Sequence, residues 1–227
     1  TKIQSRSLPW RQTPKLLTIA CAHGVQMIVT MLAYVVGGLW IGHLGAEAIA
    51  ANRIIGTFDA TIFMIPLGIG SALSVRIGRA KGAGDISQAR TIYRGGFWLT
   101  CVFCGAVALC MAAFPSNIIG WFTTDAGTVL IARQLILVAA IFCLFDNLAS
   151  VTLSALRGLG DVVVPALTYL GIYWILAMPL IWIFLFKWNL GAVGVWWGYC
   201  IAIVLGAAFL ITRFAAITRT KKTLARA

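Results

Sequence analysis

Charged residues are scarce in this sequence, and acidic residues are the scarcest. Asp, Glu, Lys and Arg make up 11% of the 227 residues, with six acids against 18 bases. Soluble domains carry about 25% charged residues. Hydrophobic residues account for 61%, and the mean hydropathy is +0.94. This composition excludes an ordinary water-soluble domain and indicates an all-α protein of the membrane.

The residue patterns of common enzyme and metal sites are also missing. No Ser-His-Asp arrangement, paired carboxylates or phosphate-binding glycine loop stands out, so nothing supports an enzyme. Cys101 and Cys104 form a CxxC without a second pair, which we interpret as packing. His23 and His43 lack a partner at ligand spacing. We therefore expect no metal and no cofactor.

Long apolar runs are what the sequence has in abundance. A membrane-spanning helix needs about 20 consecutive apolar residues. Six segments qualify: Leu16–Ile41, Ile54–Val75, Gly95–Phe114, Gln134–Leu153, Pro165–Phe186 and Ala192–Thr212. Trp and Tyr are frequent near their ends, as at Trp40 and Trp188, which indicates an interfacial belt. We predict a six-helix unit over 16–213, flanked by basic segments at 1–15 and 214–227.

The distribution of Lys and Arg predicts the orientation of the unit. With six spans both ends lie on one side, and that side holds 15 of the 18 basic residues. Basic residues stay cytoplasmic, so we expect both termini in the cytoplasm and the chain in the cell (inner) membrane. The net charge of +12 then reflects topology and attraction to anionic lipid. Nucleic-acid binding is not expected, because no soluble basic domain is present.

Asp146 is the most informative residue of the predicted spans. It lies well inside Arg133, near the middle of an apolar helix. A carboxylate at that depth is costly unless it faces a cavity, a cation or a partner. A purely structural role, packed against Ser, Asn or water, remains an alternative. We favour a functional role in binding a cation.

Four other polar positions are candidates for the same region. Asp59 lies just inside Arg53; it either snorkels outward, bonds Asn52 on the same helix face, or serves the site. Gln26, Thr30 and Tyr34 follow i, i+4, i+8 spacing and share one stripe of the first helix. Such a stripe lines a wet cavity or, more often, hydrogen-bonds a neighbouring helix.

Five short motifs follow one another along the chain. They are HLGAEAIAANRI at 43–54, MIPLGIGSALSVRIGRAKGAGD at 64–85, WFTTD at 121–125, LSALRGLGD at 153–161 and LGAVGVWWG at 190–198. In this order and spacing they resemble one transporter family, the multidrug and toxic compound extrusion (MATE) transporters, over about residues 14–213. Each motif alone is weak, and five in order are specific.

The resemblance implies one lobe of a twelve-helix, two-lobe transporter. The second lobe fits better, because the first helix lacks the acid that usually precedes its Leu-Gly turn in the first lobe. Segment 1–15 then corresponds to the cytoplasmic link between lobes. Since the chain starts at Thr1, we expect it to be a processed product or a piece of a longer protein. The missing partner is an N-terminal lobe, covalent or supplied by a second copy.

The resemblance also implies roles for individual residues. Asp146 matches the acid of the fourth helix, which is implicated in binding the coupling cation. The chain departs from the sodium-coupled pattern at two positions: a Glu of the first helix matches about Thr30, and a Tyr often found four residues before the acid is Phe142. Asp59 would compensate. Phe142 and Asn147 join Gln26, Thr30 and Tyr34 as expected cavity residues.

The resulting prediction is a cation-coupled antiporter that exports small organic cations or drugs in exchange for H⁺ or Na⁺. Two alternatives remain. A flippase for lipid-linked precursors would need cationic residues inside the spans, which are lacking. A non-transporting six-helix remnant would explain the missing lobe.

Overall fold

The computed structural model describes residues 13–224, and all of them lie in helices or short connections. Most of the predicted basic segment 1–15, and the last three residues of the tail at 214–227, lie outside the described residues. The helices are α1 (Thr13–Gly42), α2 (Ala46–Gly82), α3 (Ile86–Ala113), α4 (Pro115–Gly120), α5 (Ala126–Gly158), α6 (Val163–Lys187) and α7 (Gly191–Leu224).

Six of these helices are long and apolar enough to cross a membrane, which confirms the predicted all-α, six-span fold. Most helices extend beyond the predicted apolar segments, because a polar turn at the end of a helix stays helical when that end is capped. The Asp85 carboxylate accepts from the Gln88 backbone N–H at 2.8 Å and starts α3. Asp125 does the same for α5 through Thr128, at 2.9 Å. The short helix α4, opened by Pro115, was not predicted.

Helix α5 is the centre of the bundle. It packs against α2, α3, α4 and α7, and small residues such as Ala139 and Ala149 are fully buried in the interfaces. At its end a Cβ on Gly158 would lie 2.6 Å from the Ser74 carbonyl oxygen of α2. Small residues permit this close approach of helix backbones. A polar side chain on a buried face of α5 therefore has neighbours from several helices.

Helix α6 is irregular. Its backbone leaves α-helical geometry for the wider π geometry at Gly171–Ala177 and again at Ile183–Lys187. Pro179, between the two segments, lacks a backbone N–H and cannot continue the regular bonding pattern. π segments occur mostly as short insertions and often at functional sites. The first one carries Tyr173, which faces the interior.

One end of the bundle is tied together by basic residues. The Lys81 ammonium donates to the Leu159 carbonyl at 2.6 Å. Arg213 pairs with Asp161 through Nε at 2.6 Å and Nη2 at 3.2 Å. These contacts bring the 76–85 and 157–161 segments and α7 to one end, as the charge pattern requires. The chain is thus a multi-pass membrane protein with six spans.

Candidate functional site

Two carboxylates on different helices lie near each other inside the bundle. Asp146, in the middle third of α5, and Asp59, on α2, are both half-buried. Each lies within electrostatic range of the other. The pair was not apparent in the sequence, since 87 residues of chain separate the two positions. It makes Asp59 part of the same site as Asp146.

Each carboxylate has its own polar neighbour. Tyr173 of α6 lies close enough to Asp146 for the two groups to interact electrostatically. Asp59 interacts with the Cys143 thiol on α5. Asn52, considered above as a partner for Asp59, instead accepts from the Trp196 indole N–H at 3.0 Å. Asp59 therefore turns towards α5 and the bundle interior rather than along its own helix.

Tyrosine rings form one wall of the site. Tyr34 of α1, Tyr173 of α6 and Tyr199 of α7 pack with ring centroids 5.2 to 6.1 Å apart. Tyr169 stacks on Tyr173 at 6.0 Å. The Tyr199 hydroxyl donates to the Ala33 carbonyl at 2.8 Å, which fixes α7 to α1. Helices α1 and α6 thus place the Tyr34, Tyr169 and Tyr173 rings near the Asp146 carboxylate.

These tyrosines depart from the interfacial belt expected from the sequence. Trp121 and Trp188 fit that belt, with 79% and 64% of their surface exposed, whereas Tyr173 is only 1% exposed. Tyr169 and Tyr173 are four residues apart in an otherwise apolar helix. The argument from buried polar groups that singled out Asp146 would also have found them.

The stripe on α1 divides between two environments. Tyr34 reaches the tyrosine wall through a 3.2 Å contact between its hydroxyl and that of Tyr173. Gln26 accepts from Arg157 at 2.8 Å, towards the basic end of the bundle. The Thr30 hydroxyl is buried and has no hydrogen-bond partner among residues 13–224. Of the three, Tyr34 has electrostatic contacts with both carboxylates.

Phe142 and Asn147 lie inside the lobe. Phe142 is 0% exposed and packs edge-on against Trp196 at 5.5 Å. The Asn147 amide donates to the Cys143 carbonyl at 2.7 Å. Its Oδ1 is buried and has no partner in the described part of the chain. Their assignment to a substrate cavity stays a prediction.

A second polar cluster lies on the basic side of the carboxylates. Arg157 contacts His23 at 3.4 Å as well as Gln26. No ion pair to Arg157 occurs within residues 13–224. A cleft of about 500 Å³ between α1 and α6 opens nearby, and its mostly apolar lining includes Gln26 and Cys21.

The chemistry available at the carboxylate pair is cation binding. No group of three or more His, Cys, Asp and Glu side chains in the described range could hold a metal ion. The pair offers carboxylate oxygens and phenol hydroxyls. Repulsion between two neighbouring carboxylates favours binding of a cation. Rings next to an anionic group suit an organic cation.

Acidic residues outside the spans behave differently. The Thr128 side chain and backbone N–H hold the pKa of the exposed Asp125 carboxyl below its usual range. This is the behaviour of a helix cap, whose charge is satisfied locally. It separates Asp125 from the carboxylates at membrane depth.

The sequence of this chain is similar to those of bacterial multidrug resistance proteins. A Probable multidrug resistance protein NorM of Agrobacterium fabrum is 30% identical over 96% of this chain and 48% of its own. The Multidrug resistance protein NorM of Burkholderia vietnamiensis is 33% identical, over 86% of this chain and 43% of its own. The chain thus spans about half the length of the curated relatives it matches.

The chain also covers about half of each solved structure that it resembles. The structure of MATE in the bent conformation superposes with a TM-score of 0.88 at 16% identity, covering 100% of this chain and 50% of that one. Vibrio cholerae MATE transporter VcmN in the bent form gives 0.83 at 21% identity, over 90% and 47%. At such identities the likeness concerns the fold alone. The predicted fold of one six-helix lobe is confirmed.

The family assignment follows from a sequence profile as well. The MatE profile matches residues 23–183, which include α2 to α5, both carboxylates and the tyrosines of α6. With six spans, half the length of NorM relatives and this match, the chain belongs to the MATE family of membrane transporters.

Proposed function

We propose that this chain is the C-terminal lobe of a cation-coupled exporter, which releases a small organic cation from the cell as H⁺ or Na⁺ moves inward. The observation that carries the proposal is the Asp59–Asp146 pair inside the bundle, beside a wall of tyrosines. Ionisable groups at membrane depth mark ion and substrate pathways.

Coupling follows from competition for one negative charge. When Asp146 is ionised, it attracts an organic cation, and the rings of Tyr34 and Tyr173 add favourable contacts with that cation. A proton or sodium ion at the pair neutralises the charge and weakens the hold on the substrate. Because substrate and coupling cation do not both occupy the pair, the entry of one releases the other.

A second lobe is needed to complete the transporter. Helices α1 and α2 expose large apolar side chains along their length, among them Met31, Val35 and Met64. The matched relatives are about twice as long as this chain. We infer that an N-terminal lobe covers part of this surface and lipid covers the rest. The two lobes would rock about a central cleft, as in other transporters built from repeats.

The orientation and the position within the whole protein are part of the proposal. The bundle end formed by Lys81, Arg157 and Arg213 carries most of the basic residues, so we place it in the cytoplasm together with both termini. The basic segment 1–15 would be the link from the first lobe, and 214–227 the cytoplasmic tail, of which 214–224 belong to α7.

Replacement of Asp146 in the complete transporter tests the proposal. Asp146→Asn keeps the shape of the side chain and removes its charge and proton site. We expect cation-driven efflux to fall to background, with normal expression. Asp125→Asn is the matched control, because the same chemical change is made at an exposed helix cap. Efflux at the wild-type level with unchanged dependence on pH and sodium in Asp146→Asn would refute the proposal.

A further inference from the structure

We propose that the cleft between α1 and α6 binds one anionic phospholipid of the cytoplasmic leaflet, with the headgroup phosphate at Arg157 and an acyl chain along the apolar walls. The inference takes the orientation of the chain from the proposed function, and it does not depend on how transport is coupled. It adds a binding site separate from the carboxylate pair.

The walls of the cleft are apolar and uncovered. Its volume of about 500 Å³ lies within the range of about 300–1,000 Å³ that is typical of small-molecule sites. Leu17 and Val25 of α1 and Leu167 of α6 line it, and each is 59% exposed. The indole N–H of Trp174 donates to the Val29 carbonyl at 3.2 Å and bridges the two helices. Because Val29 also lines the cleft, this bridge limits it at its inner end.

A guanidinium without a counterion lies beside the cleft. Gln26 lines the cleft, and its side-chain oxygen accepts from Arg157 at 2.8 Å. The other hydrogen-bond contact of Arg157 within residues 13–224 is His23 Nε2, at 3.4 Å. Arg can only donate, so this ring nitrogen accepts and the imidazole is neutral. Both partners are uncharged, and Arg157 is only half-buried, so its charge is available to an anion.

The same cluster has unused hydrogen-bond donors. A guanidinium carries five N–H donors, and the two contacts of Arg157 occupy two of them. With Nε2 of His23 as the acceptor, the ring proton is on Nδ1, which is buried and has no partner in the described part of the chain. A ligand for these groups supplies acceptor oxygens and negative charge. Phosphate supplies both, and Arg binds it in bidentate geometry.

The depth of the cluster is that of a lipid headgroup. Arg157 lies four residues beyond Leu153, the end of the apolar run of α5, which is about 6 Å along a helix. It shares the basic end of the bundle with Arg213. Leu167 lies inside the apolar run 165–186 of α6. The cleft thus has a cation at the membrane boundary and apolar walls within the membrane, and the cytoplasmic leaflet is the one rich in anionic lipids.

A lipid matches this cleft better than a second protein lobe does. Helices α1 and α6 are the first and fifth of six spans, so both run inward from the basic end. The groove between them therefore follows the direction of an acyl chain. The surface assigned above to the N-terminal lobe includes Met64 of α2, whereas the cleft lies where α1 meets α6.

Binding of phosphatidylglycerol to the complete transporter, delipidated in a neutral detergent, tests the proposal. Native mass spectrometry would give the number of bound lipids and their Kd. Phosphatidylcholine with the same acyl chains lacks the net negative charge, and inorganic phosphate lacks the chains. Arg157→Gln removes the charge of the site. Ala166→Trp fills the cleft, which Ala166 lines, and leaves Arg157 in place. Arg76→Gln is the matched control, because it makes the same change at an exposed basic residue of α2.

We expect one phosphatidylglycerol to bind about tenfold or more tightly than phosphatidylcholine, and Arg157→Gln to weaken it by about the same factor, as loss of a hydrogen-bonded charge requires. Ala166→Trp should also lose this lipid. Arg76→Gln and Asp146→Asn should bind it like the wild type, and an equal concentration of inorganic phosphate should not displace it.

Wild-type lipid affinity in either cleft variant, an equal loss in Arg76→Gln, or displacement by inorganic phosphate would overturn the lipid site. Wild-type affinity with a lowered melting temperature in both cleft variants would assign the cleft to the second lobe instead. If Arg157→Gln does not fold, Ala166→Trp alone decides. The assay measures no transport, so its failure would leave the proposed function standing, and wild-type efflux in Asp146→Asn would leave the lipid site standing.

Discussion

Asp161 and Asp146 are both aspartates of this chain. They differ in whether a basic side chain pairs with them. Asp161 pairs with Arg213 through two hydrogen bonds at the basic end of the bundle. Asp146 faces another carboxylate and a phenol, and within residues 13–224 no basic side chain forms an ion pair with it. A paired acid fixes a loop, whereas an acid left without a cation is available to a mobile one.

The largest expected effect comes from replacing each of the two aspartates with asparagine, which puts a neutral amide in place of the charged carboxylate. Asp146→Asn should abolish efflux and leave the thermal stability equal or higher, because it removes a charge that lacks a partner in the bundle. Asp161→Asn should keep efflux and lower stability by about 1 kcal/mol, typical of a partly exposed ion pair. Thermal melts in detergent, alongside efflux assays, measure both. Loss of efflux with Asp161→Asn alone would reverse the comparison.

Asp59→Asn is expected to have an intermediate effect. It leaves the Asp146 carboxylate in place and removes the like charge that favours uptake of a cation. We expect a partial loss of efflux, about tenfold, with a shifted dependence on pH. Efflux measured across a pH series checks this, with Asp85→Asn, another helix cap, as the control. A complete loss equal to that of Asp146→Asn would mean that the two carboxylates act as one inseparable unit.

The smallest expected effect is that of replacing Asp125, whose carboxylate accepts a hydrogen bond from the nearby Thr128 backbone N–H. Its pKa is lowered in the folded protein, so its contribution to stability is present above the usual Asp pKa and is lost as the pH falls through the lowered value. Asp125→Ala should therefore melt slightly below wild type at neutral pH, and the difference should disappear in strong acid. A difference that persists unchanged in strong acid would mean that the charge of Asp125 does not act as a cap.

The sequence predicts the six spans because apolarity over about 20 residues identifies a spanning helix without any knowledge of its neighbours. Their ends are less predictable, since caps such as Asp85 and Asp125 extend a helix beyond its apolar run. Helix α4 is too short to show a period. Asp146 could be found because it is an isolated acid in an apolar helix.

The neighbours of Asp146 could not be found in the same way. Asp59 and Tyr173 reach it from α2 and α6, and only the packing of α5 at the bundle centre brings them together. The stripe of Gln26, Thr30 and Tyr34 shows the same limit. Helical spacing predicts that the three residues share a face. In the structure Gln26 lies towards the basic end of the bundle, and Tyr34 lies at the carboxylate site.

Competition between substrate and coupling cation is the most direct test of an unpaired carboxylate at Asp146. The equilibrium Kd of a fluorescent organic cation would be measured on the complete transporter across series of pH and of sodium concentration. We predict that the wild-type Kd rises by about tenfold for each tenfold rise in whichever cation is coupled, as one-site competition requires. The Asp146→Asn Kd should be weak and flat in both series. A wild-type dependence that persists in Asp146→Asn would contradict the account.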